Sequence, residues 1–279
     1  MKFNASMIGV WMKCPLQARY NETRDKPRVQ NAAASFGTCV HEALDQYNKT
    51  GDMDRAVQRF LETWEDPSIL GVEPDVWPRR MTYGGLRETG VQMLTDYHET
   101  ASWSKREVVA AEHRFCVPFG DHLLSGIVDV LEATPRALKI VDYKTNSSQP
   151  MLDSLYLNIQ FTIYYYASLQ PEFWMGFDDG TGKYPGMENG EELYERFKNK
   201  DRTPIWYHLR KNKAINCGKR DDLDFMRLYR CCQEIAKAIE KDVYVPSISG
   251  DSCVWCDHTD VCKAFIPPHQ EPGALKEKQ

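Results

Sequence analysis

The most regular alternation of apolar and polar positions runs from residue 123 to residue 146. Two runs rich in isoleucine, valine and leucine lie on either side of a short turn at 134–136. Such runs joined by a tight turn predict an antiparallel pair of strands. Residues 107–118 alternate in a similar way and predict a strand that leads into this hairpin.

Charged side chains interrupt the apolar pattern of the predicted hairpin. Because successive side chains of a strand point to opposite faces of a sheet, Asp142 and Lys144 share one face while Tyr143 points to the other. Asp129, near the middle of the preceding strand, can come opposite this pair. The alternation therefore predicts two carboxylates and an ammonium group at one place on the sheet.

Helical spacing of apolar residues accounts for much of the remaining chain. It predicts helices over 6–20, 35–49, 54–63, 83–100, 153–169 and 222–241. Ser6 and Thr38 are the expected N-caps of the first two helices. Later strands are expected at 172–178 and 205–209, with a polar insertion between them at 179–201.

Length and composition restrict the class of protein. A chain of 279 residues has room for one large domain or two modest ones. Its 42% hydrophobic and 27% charged residues are typical of a soluble globular protein. No apolar run approaches a membrane span, and the N-terminus lacks the long apolar stretch of a secretory signal, so we expect a cytoplasmic location and no membrane partner.

The net charge of −5 is unlike that of most nucleic-acid-binding domains, which are basic. It does not exclude such binding, because an enzyme that neutralises phosphates only inside a groove can carry an acidic outer surface. Local basic clusters matter more than the total, although most such pairs are solvated surface groups. The candidate clusters are Arg79 with Arg80, Lys105 with Arg106, residues 210–213, and Lys219 with Arg220.

The two predicted carboxylates repel each other and cost free energy to bury unless a cation lies between them. Oxygen ligands, with water in the remaining positions, suit Mg²⁺ or Mn²⁺. His41, at the edge of a helical apolar stripe, is a candidate third ligand, with Glu42 as a weaker substitute. Glu112 could face the same site. The alternatives are a surface ion pair of Asp142 with Lys144 and a hydrogen-bonded core histidine.

Gln160 and Tyr164 lie four residues apart in a predicted helix, so both project from one face of it toward the strand ends. The alternative is an amphipathic helix with ordinary polar positions. The GTGK sequence at 180–183 does not form a phosphate-binding loop, because that motif is G-x4-G-K-[ST] and Tyr184 follows the lysine. The sequence therefore encodes no ATP motor.

Nine cysteines in a chain without an export signal argue against a disulfide framework. Cys253, Cys256 and Cys262 form C-x2-C-x5-C, and such a group of thiolates in a reducing compartment indicates a metal site. Cys14 provides the fourth thiolate for a 4Fe-4S cluster, whereas zinc could use His258. The remaining cysteines are expected to be structural thiols: Cys39, Cys116, Cys217, Cys231 and Cys232.

Together these residues resemble the PD-(D/E)xK nucleases of the RecB type. The resemblance is to the branch with four cysteines, which includes the AddB nuclease domain, CRISPR-associated adaptation nucleases and phage exonucleases. It covers nearly the whole chain and rests on the four cysteines and on GTCVHEALD at 37–45, GIVD at 126–129, VDYKT at 141–145 and Q-x3-Y at 160–164. Val128 stands where the family name has proline, and residues 50–105 match no motif that we can name.

The resemblance implies a restriction-endonuclease-like α/β fold, in which helices flank a central mixed β-sheet. The implied division of the chain is an N-terminal segment at 1–34, a nuclease core at 35–245 with a helical insertion at 50–105, a cysteine segment at 246–266 and a polar tail at 267–279. The iron-sulfur cluster would join the N- and C-terminal segments.

The resemblance also implies a role for each motif residue. The Mg²⁺ or Mn²⁺ ion would be held by three side chains and one backbone carbonyl, those of His41, Asp129, Asp142 and Tyr143 respectively. Lys144 would orient the attacking water, while Gln160 and Tyr164 would position the DNA strand or the lysine. The 4Fe-4S cluster would be bound by Cys14, Cys253, Cys256 and Cys262.

The expected activity is metal-assisted phosphodiester hydrolysis by a DNA exonuclease, in recombination, repair or phage DNA metabolism. Its partners would be single-stranded or duplex DNA ends, with a recombination protein as a further candidate. The bases would stack on aromatics such as Trp77, Tyr83 or Trp103, and the alternative is that these aromatics belong to the core. The cell would be bacterial or phage-infected. Alternatives are a module that binds DNA ends without cutting and a zinc-stabilised endonuclease. Two carboxylates facing phosphate have no use in a pure binder and favour cutting.

Overall fold

The structure is a computed structural model. It describes residues 1–23, 31–77, 80–101, 106–247, 249, 252–253, 256–259, 261–262 and 264. The chain divides into two compact units. The first comprises Met1–Ala5 and Arg28–Cys231, and the second comprises Ser6–Pro27 and Cys232–Gln279. The predicted polar tail at 267–279 lies outside the described residues.

The first unit contains a mixed β-sheet. Its described strands are β1 Lys2–Phe3, β2 Glu107–Phe119, β3 His122–Ala133, β4 Ala137–Lys144, β5 Asp201–His208 and β6 Lys213–Asn216. Their order is β1-β3-β4-β5-β6, with β2 also paired to β3. The pairs β1 with β3 and β4 with β5 are parallel, and the other pairs are antiparallel. The predicted α/β class and the predicted hairpin are therefore confirmed.

Ten described α-helices accompany the sheet. They are α1 Ala5–Lys13, α2 Pro15–Thr23, α3 Ala32–Thr50, α4 Met53–Glu65, α5 Tyr83–Thr100, α6 Leu152–Tyr156, α7 Ile159–Leu169, α8 Pro171–Met175, α9 Gly190–Phe197 and α10 Asp222–Glu240. Short 3-10 turns occupy Pro67–Leu70 and Leu209–Lys211. None of the described helices combines the length and apolar character that are needed to span a membrane.

Helices pack on both faces of the sheet. Helices α3, α4 and α5 form one apolar core with inward residues of β3, β4 and β5, among them Val130, Val141 and Tyr207. The hydroxyl of Tyr143 points to this side, where it contacts Asn48 of α3. Asp142, the neighbouring residue, faces the other side and accepts a hydrogen bond from α7. The opposite orientations predicted for Asp142 and Tyr143 agree with these contacts.

Two predicted N-caps are wrong. The first helix begins at Ala5, so Ser6 lies inside it, and a separate helix follows from Pro15 because proline is favoured at a first helical position. Helix α3 begins at Ala32, three residues earlier than predicted, with Asn31 as its cap, so Thr38 lies inside the helix. The side chain of Asn31 accepts a hydrogen bond from the backbone N–H of Ala33 at 2.8 Å.

Three predictions between residues 153 and 201 also need correction. The predicted helix 153–169 is broken, because α6 ends at Tyr156 and Asn158 caps α7 by accepting a hydrogen bond from the N–H of Phe161. The predicted strand 172–178 is helix α8, which begins at Pro171. The predicted polar insertion contains helix α9, whose buried Phe197 stacks on Trp174.

Within the second unit, aromatic and ionic contacts join residues from distant parts of the sequence. Trp11 packs against Tyr244 with ring centroids 5.2 Å apart, and the guanidinium of Arg19 lies 4.9 Å from the centre of the same tyrosine ring. Arg19 also pairs with Asp242 at 3.2 Å. These contacts hold α1 and α2 against the residues that follow α10.

Candidate active site

Asp129 lies where the two strands of the hairpin separate. The pairing of β3 with β4 runs from Ala133 and Leu138 to Val130 and Val141, and it stops there. Beyond this point the backbone N–H of Tyr143 donates to Asp129 Oδ2 at 2.6 Å. A buried amide needs an acceptor, so the carboxylate takes the place of the next strand pairing and is held in the fork.

His41 reaches this fork from α3. The helix buries Val40 and Leu44 in the core, and His41 lies at the edge of that buried stripe with 28% of its side chain exposed. Its Nδ1 lies 3.4 Å from Asp129 Oδ1, the carboxylate oxygen that is not bonded to Tyr143. The structure thus brings together His41 and Asp129, two of the predicted metal ligands.

Glu112 completes a compact group of three possible metal ligands. It lies in β2 between Ala111 and His113, whose partners in β3 are Val130 and Val128. Its backbone has φ of +47°, a left-handed conformation that a non-glycine residue rarely adopts in a strand. Ligand atoms of His41, Glu112 and Asp129 lie within 4.8 Å of one another, and no second group of this kind occurs among the described residues.

Asp142, Lys144, Gln160 and Tyr164 form a hydrogen-bonded network beside this group. Lys144 Nζ lies 2.5 Å from Asp142 Oδ2, while Gln160 Nε2 donates to Asp142 Oδ1 at 2.9 Å. The other end of the Gln160 amide accepts from Lys144 at 3.3 Å. Gln160 also donates to the hydroxyl of Tyr164, which donates to the carbonyl of Ile127 at 2.5 Å.

The site opens into a cleft of about 430 Å³. Its walls are formed by His41, Tyr143, Lys144, Thr145, Asn146, Ser148, Pro150 and Trp206. Lys144 and His41 are therefore accessible from solvent, whereas Asp142 is only 2% exposed. The cleft gives an extended ligand access to the ammonium and imidazole groups.

A family model described as the PD-(D/E)XK nuclease superfamily matches residues 2–263, which is nearly the whole chain. The chain belongs to this superfamily. A solved structure titled "Crystal structure of SSO0001" aligns with 95% of this chain and 87% of its own, at 10% identity and a TM-score of 0.40. No curated protein sequence matches the chain. Membership indicates a metal-dependent nuclease and supports a restriction-endonuclease-like fold.

The three residues that were predicted to form the PD-(D/E)XK motif lie at or near the fork between β3 and β4. Asp129 belongs to β3, and Asp142 and Lys144 belong to β4. The compact ligand group contains Glu112 in addition to the predicted His41 and Asp129. Asp142 was predicted as a ligand but lies outside that group, because its oxygens contact Lys144 and Gln160.

Electrostatic interactions within the site shift the pKa values of His41 and Asp129. Burial lowers the pKa of His41, but the carboxylates of Asp129 and Asp142 outweigh it and raise that pKa to about 9. Burial would raise the pKa of Asp129, but His41 and the N–H of Tyr143 hold it below the ordinary value. The two groups therefore form a charged pair at neutral pH.

The pKa values of the other two acids, Asp142 and Glu112, are raised, which is opposite to the shift of Asp129. Burial raises the pKa of Asp142 to about 6, although the ammonium of Lys144 opposes the shift. Burial and the nearby charge of Asp129 raise the pKa of Glu112 to about 7. Three carboxyl groups at one fork thus carry more negative charge than the fork accommodates easily. A divalent cation would stabilise all three ionised forms.

Several of the predicted basic positions are bound by other groups of the chain. Arg106 is buried and pairs with Glu132, and Arg220 is buried and donates to backbone carbonyls such as that of Leu155. Lys219 is exposed but pairs with Asp201 at 2.8 Å. Of the other predicted positions, Arg79 and Lys105 lie outside the described residues, and Arg80 is exposed.

Arg210 is different, because it lies next to the cleft. Its Nε donates to the carbonyl of Thr145 at 2.7 Å, and its guanidinium lies 5.6 Å from the centre of the Phe36 ring. Thr145 directly follows the motif lysine and lines the cleft. Of the predicted basic cluster 210–213, Arg210 is the member that the structure brings to the site.

Two of the three predicted base-stacking aromatics have exposed rings. Trp77 is 41% exposed and Tyr83 is 44% exposed. Both contact the buried ring of Trp64, which Tyr83 stacks on with an interplanar angle of 15°. The third aromatic, Trp103, lies outside the described residues.

The four predicted cluster ligands of the second unit line one cavity. Cys14, Cys253, Cys256 and Cys262 all contribute to its wall. No three of these thiols lie within the 4.8 Å spacing that would hold a single ion, among the described residues. Of the five predicted structural thiols, four are buried and Cys231 is half-buried.

Sequence reasoning gave Glu112 less weight than the structure does. Its signal was a single acidic residue in a strand adjacent to the motif strand. Trp206 and the residues 145–150 were also missed as cleft residues. Their signal was their position, since 145–150 follow the motif lysine and Trp206 lies opposite Asp142 in the parallel pairing of β4 with β5.

Proposed function

We propose that this PD-(D/E)XK protein is a DNA exonuclease of the RecB type that hydrolyses phosphodiester bonds from the ends of linear or single-stranded DNA. The observation that carries the proposal is the compact group of His41, Glu112 and Asp129 beside the Asp142 and Lys144 pair. This arrangement combines a cation site with an ammonium group that opens into a cleft.

The ligand group fits a hard divalent ion. Two carboxylates and one imidazole supply oxygen and nitrogen donors, and carboxylate-rich sites suit Mg²⁺ or Mn²⁺. Asp129 is already oriented by the N–H of Tyr143, which leaves its second oxygen facing His41. A bound ion of this kind supplies Lewis-acid chemistry, since it activates water and stabilises negative charge on phosphate.

Lys144 is the side chain that we propose acts directly on the reacting groups. Its ammonium is held by Asp142 and by the carbonyl oxygen of Gln160, and it reaches the cleft. There it can orient the attacking water and stabilise the charge that develops on the phosphate oxygens. Gln160 and Tyr164 act through their hydrogen bonds by fixing the positions of Asp142 and Lys144.

We further propose that the second unit binds a 4Fe-4S cluster through Cys14, Cys253, Cys256 and Cys262. The support is that all four line one cavity. Each thiolate of such a cluster binds a different iron, so its ligands lie farther apart than those of a single ion. The zinc alternative that uses His258 has less support, because His258 Nε2 contacts Asn21 at 2.6 Å and His258 does not line this cavity.

Digestion of matched DNA forms tests the exonuclease proposal. Linear single strands and duplexes labelled at the 5′ or 3′ end, and covalently closed circles of the same sequence, are incubated with Mn²⁺ or Mg²⁺. We expect the linear forms to be degraded and the circles to persist. Circles that are cut as fast as linear DNA would overturn the exonuclease assignment. A protein that binds linear ends but degrades none of these forms would be a non-cutting module.

A further inference from the structure

An exposed apolar ridge lies between the two elements that carry the site. It consists of Met151, Leu152, Tyr156 and Leu157, which are 79%, 49%, 45% and 72% exposed. The segment from Asn146 to Asn158 contains a single charged residue, Asp153. Soluble proteins rarely concentrate exposed apolar side chains in this way unless the surface binds something.

The ridge is held rigidly. Buried Arg220 donates from Nη2 to the carbonyl of Leu155 at 3.0 Å and from Nε to Thr162 at 3.0 Å, so it ties α6 to α7. Tyr156 packs so closely on Gly218 that an added Cβ would lie 2.4 Å from the tyrosine ring. Leu155 points into the core with 1% exposure. The apolar side chains beside it are therefore kept in solvent by an anchored turn.

The ridge continues directly from the cleft. Its first residue, Met151, follows Pro150, which forms part of the cleft wall with Ser148. Its last residue, Leu157, precedes Asn158, which caps the helix that carries Gln160. A strand with a phosphate at Lys144 that leaves the cleft past Pro150 meets the ridge next.

The chemistry of the ridge suits bases rather than phosphates. It presents thioether, alkyl and phenol groups and no cation, so it has no attraction for the phosphate backbone. Apolar side chains such as methionine and leucine are used by DNA-binding proteins as wedges that unstack adjacent bases, and aromatic rings stack on unpaired bases. Unpaired bases are therefore the occupant that its composition fits.

We propose that this ridge packs against unpaired bases next to the scissile phosphate and thereby opens the end of a duplex. The inference rests on the proposed nuclease function and adds a preference for strands whose terminal bases are separated. The ridge side chains replace the stacking partner that a base loses when its pair opens, which lowers the free energy of the opened end.

The test uses the full chain with two ridge substitutions, Met151→Ser and Leu157→Ser, separately and together. Controls are Met175→Ser and Ile69→Ser, which change apolar side chains outside the ridge that are 49% and 54% exposed. Binding is followed by the fluorescence of 2-aminopurine at the terminal positions of a blunt duplex, and digestion is measured on that duplex and on the single strand. Circular dichroism checks that each variant is folded.

We expect wild type and both controls to increase the 2-aminopurine fluorescence on binding. The double variant should lose this increase and digest the blunt duplex about tenfold more slowly, with a smaller effect on the single strand. Ridge variants that match the controls in both measurements would overturn the inference while leaving the nuclease proposal intact. Failure of the wild-type protein to digest either form would instead overturn the nuclease proposal, and the fluorescence comparison would still decide whether the ridge binds bases.

Discussion

Tyr143 serves the site with its backbone and the core with its side chain. Its N–H fixes Asp129 at 2.6 Å, while its hydroxyl contacts Tyr97 at 2.6 Å and Asn48 at 3.2 Å on the opposite side of the sheet. Because one residue makes both sets of contacts, the position of Asp129 depends on the packing of the core. This explains how the buried carboxylate of Asp129 is held in one orientation.

Glu112 gives a prediction for metal affinity. Glu112→Gln removes the charge of one of the three grouped ligands while keeping its shape, so Mn²⁺ affinity should fall by about 10- to 100-fold. Isothermal titration calorimetry without DNA measures this directly. The matched control is Glu107→Gln, a charge removal on the same strand at an exposed position that pairs with Arg196. Unchanged Mn²⁺ affinity in Glu112→Gln would remove Glu112 from the ligand set.

His113 gives a prediction for the pH dependence of stability. It is 8% exposed, its Nε2 contacts the carbonyl of Phe173 at 2.7 Å, and burial lowers its pKa to about 4. The unfolded chain therefore binds a proton below about pH 6.5 that the folded chain does not. The stabilising contribution is present above that pH and is lost as the pH falls toward 4.

We expect this contribution to fall by about 2 kcal/mol between pH 7.5 and pH 5. Urea unfolding gives the free energy of unfolding of wild type and of His113→Gln at both pH values. The loss of stability between the two pH values is then compared between the two proteins. The glutamine variant has no ionisable group at this position and should lose correspondingly less stability. Equal losses in the two proteins would show that His113 titrates normally in the folded state.

The sequence could predict the site residues that stand within regular apolar patterns, and it could not predict the others. Asp129, Asp142 and Lys144 stand in strongly apolar strands, so alternation alone brings them together. The position of Glu112 depends on a left-handed backbone angle, which no residue pattern around it indicates. The exposed wall at 145–150 lacks any periodicity and could not be assigned to the cleft.

At the scale of elements, a buried ion pair connects β2 with β3 behind the site. Arg106 donates to Glu132 from two nitrogens and to Asn48 Oδ1 at 3.0 Å, and its guanidinium lies 5.4 Å from the centre of the Tyr97 ring. The side chains of Arg106 and Glu132 are 7% and 10% exposed. The pair thus links the start of β2 to the helices that support Tyr143.

Arg106→Met should destabilise the fold by about 3 kcal/mol, because it leaves the carboxylate of Glu132 buried without its main partner. The lower end of the usual range is expected, since Lys139 remains 3.6 Å from the same carboxylate. The double variant Arg106→Met with Glu132→Leu should recover most of this loss. Unfolding free energies of wild type, Arg106→Met, Glu132→Leu and the double variant form the test. A single variant as stable as wild type would contradict it.

The elements that sequence reasoning predicted well are the long ones. Helix α5 and the strands β2, β3 and β4 carry apolar patterns over eight or more residues, and their packing agrees with those patterns. Helix α8 has only five residues, and its aromatic sequence PEFWM fits a strand equally well. Its identity is decided by tertiary packing, in which Phe173 lies against Phe115 of β2.

At the scale of the whole molecule, the proposed iron-sulfur cluster predicts a visible property of the protein. Freshly purified wild type should be brown with broad visible absorbance and should contain iron rather than zinc. Cys256→Ser should lose the colour and the iron and should unfold at a lower temperature, because a cavity-lining thiolate is lost. The control is Cys231→Ser, a half-buried cysteine that does not line the cavity. Colourless wild-type protein with stoichiometric zinc would contradict the cluster.

The net charge of −5 indicates that DNA is attracted by a local site rather than by the whole surface. The cations that face the cleft are therefore essential to the account, and Lys144 contacts both Asp142 and the cleft. A divalent ion at the fork would add to this local positive charge. Local positive charge at the cleft thus makes nuclease activity compatible with a net negative charge of the chain.

The most direct test of the central claim is Mn²⁺-dependent digestion of end-labelled linear DNA by Asp142→Ala and Lys144→Ala. The control is Lys183→Ala, which removes an exposed lysine far along the sequence from the motif. The account predicts that the control digests like wild type, whereas each site variant stays folded by circular dichroism and loses at least about a hundredfold in rate. Digestion at the wild-type rate by either site variant would contradict it.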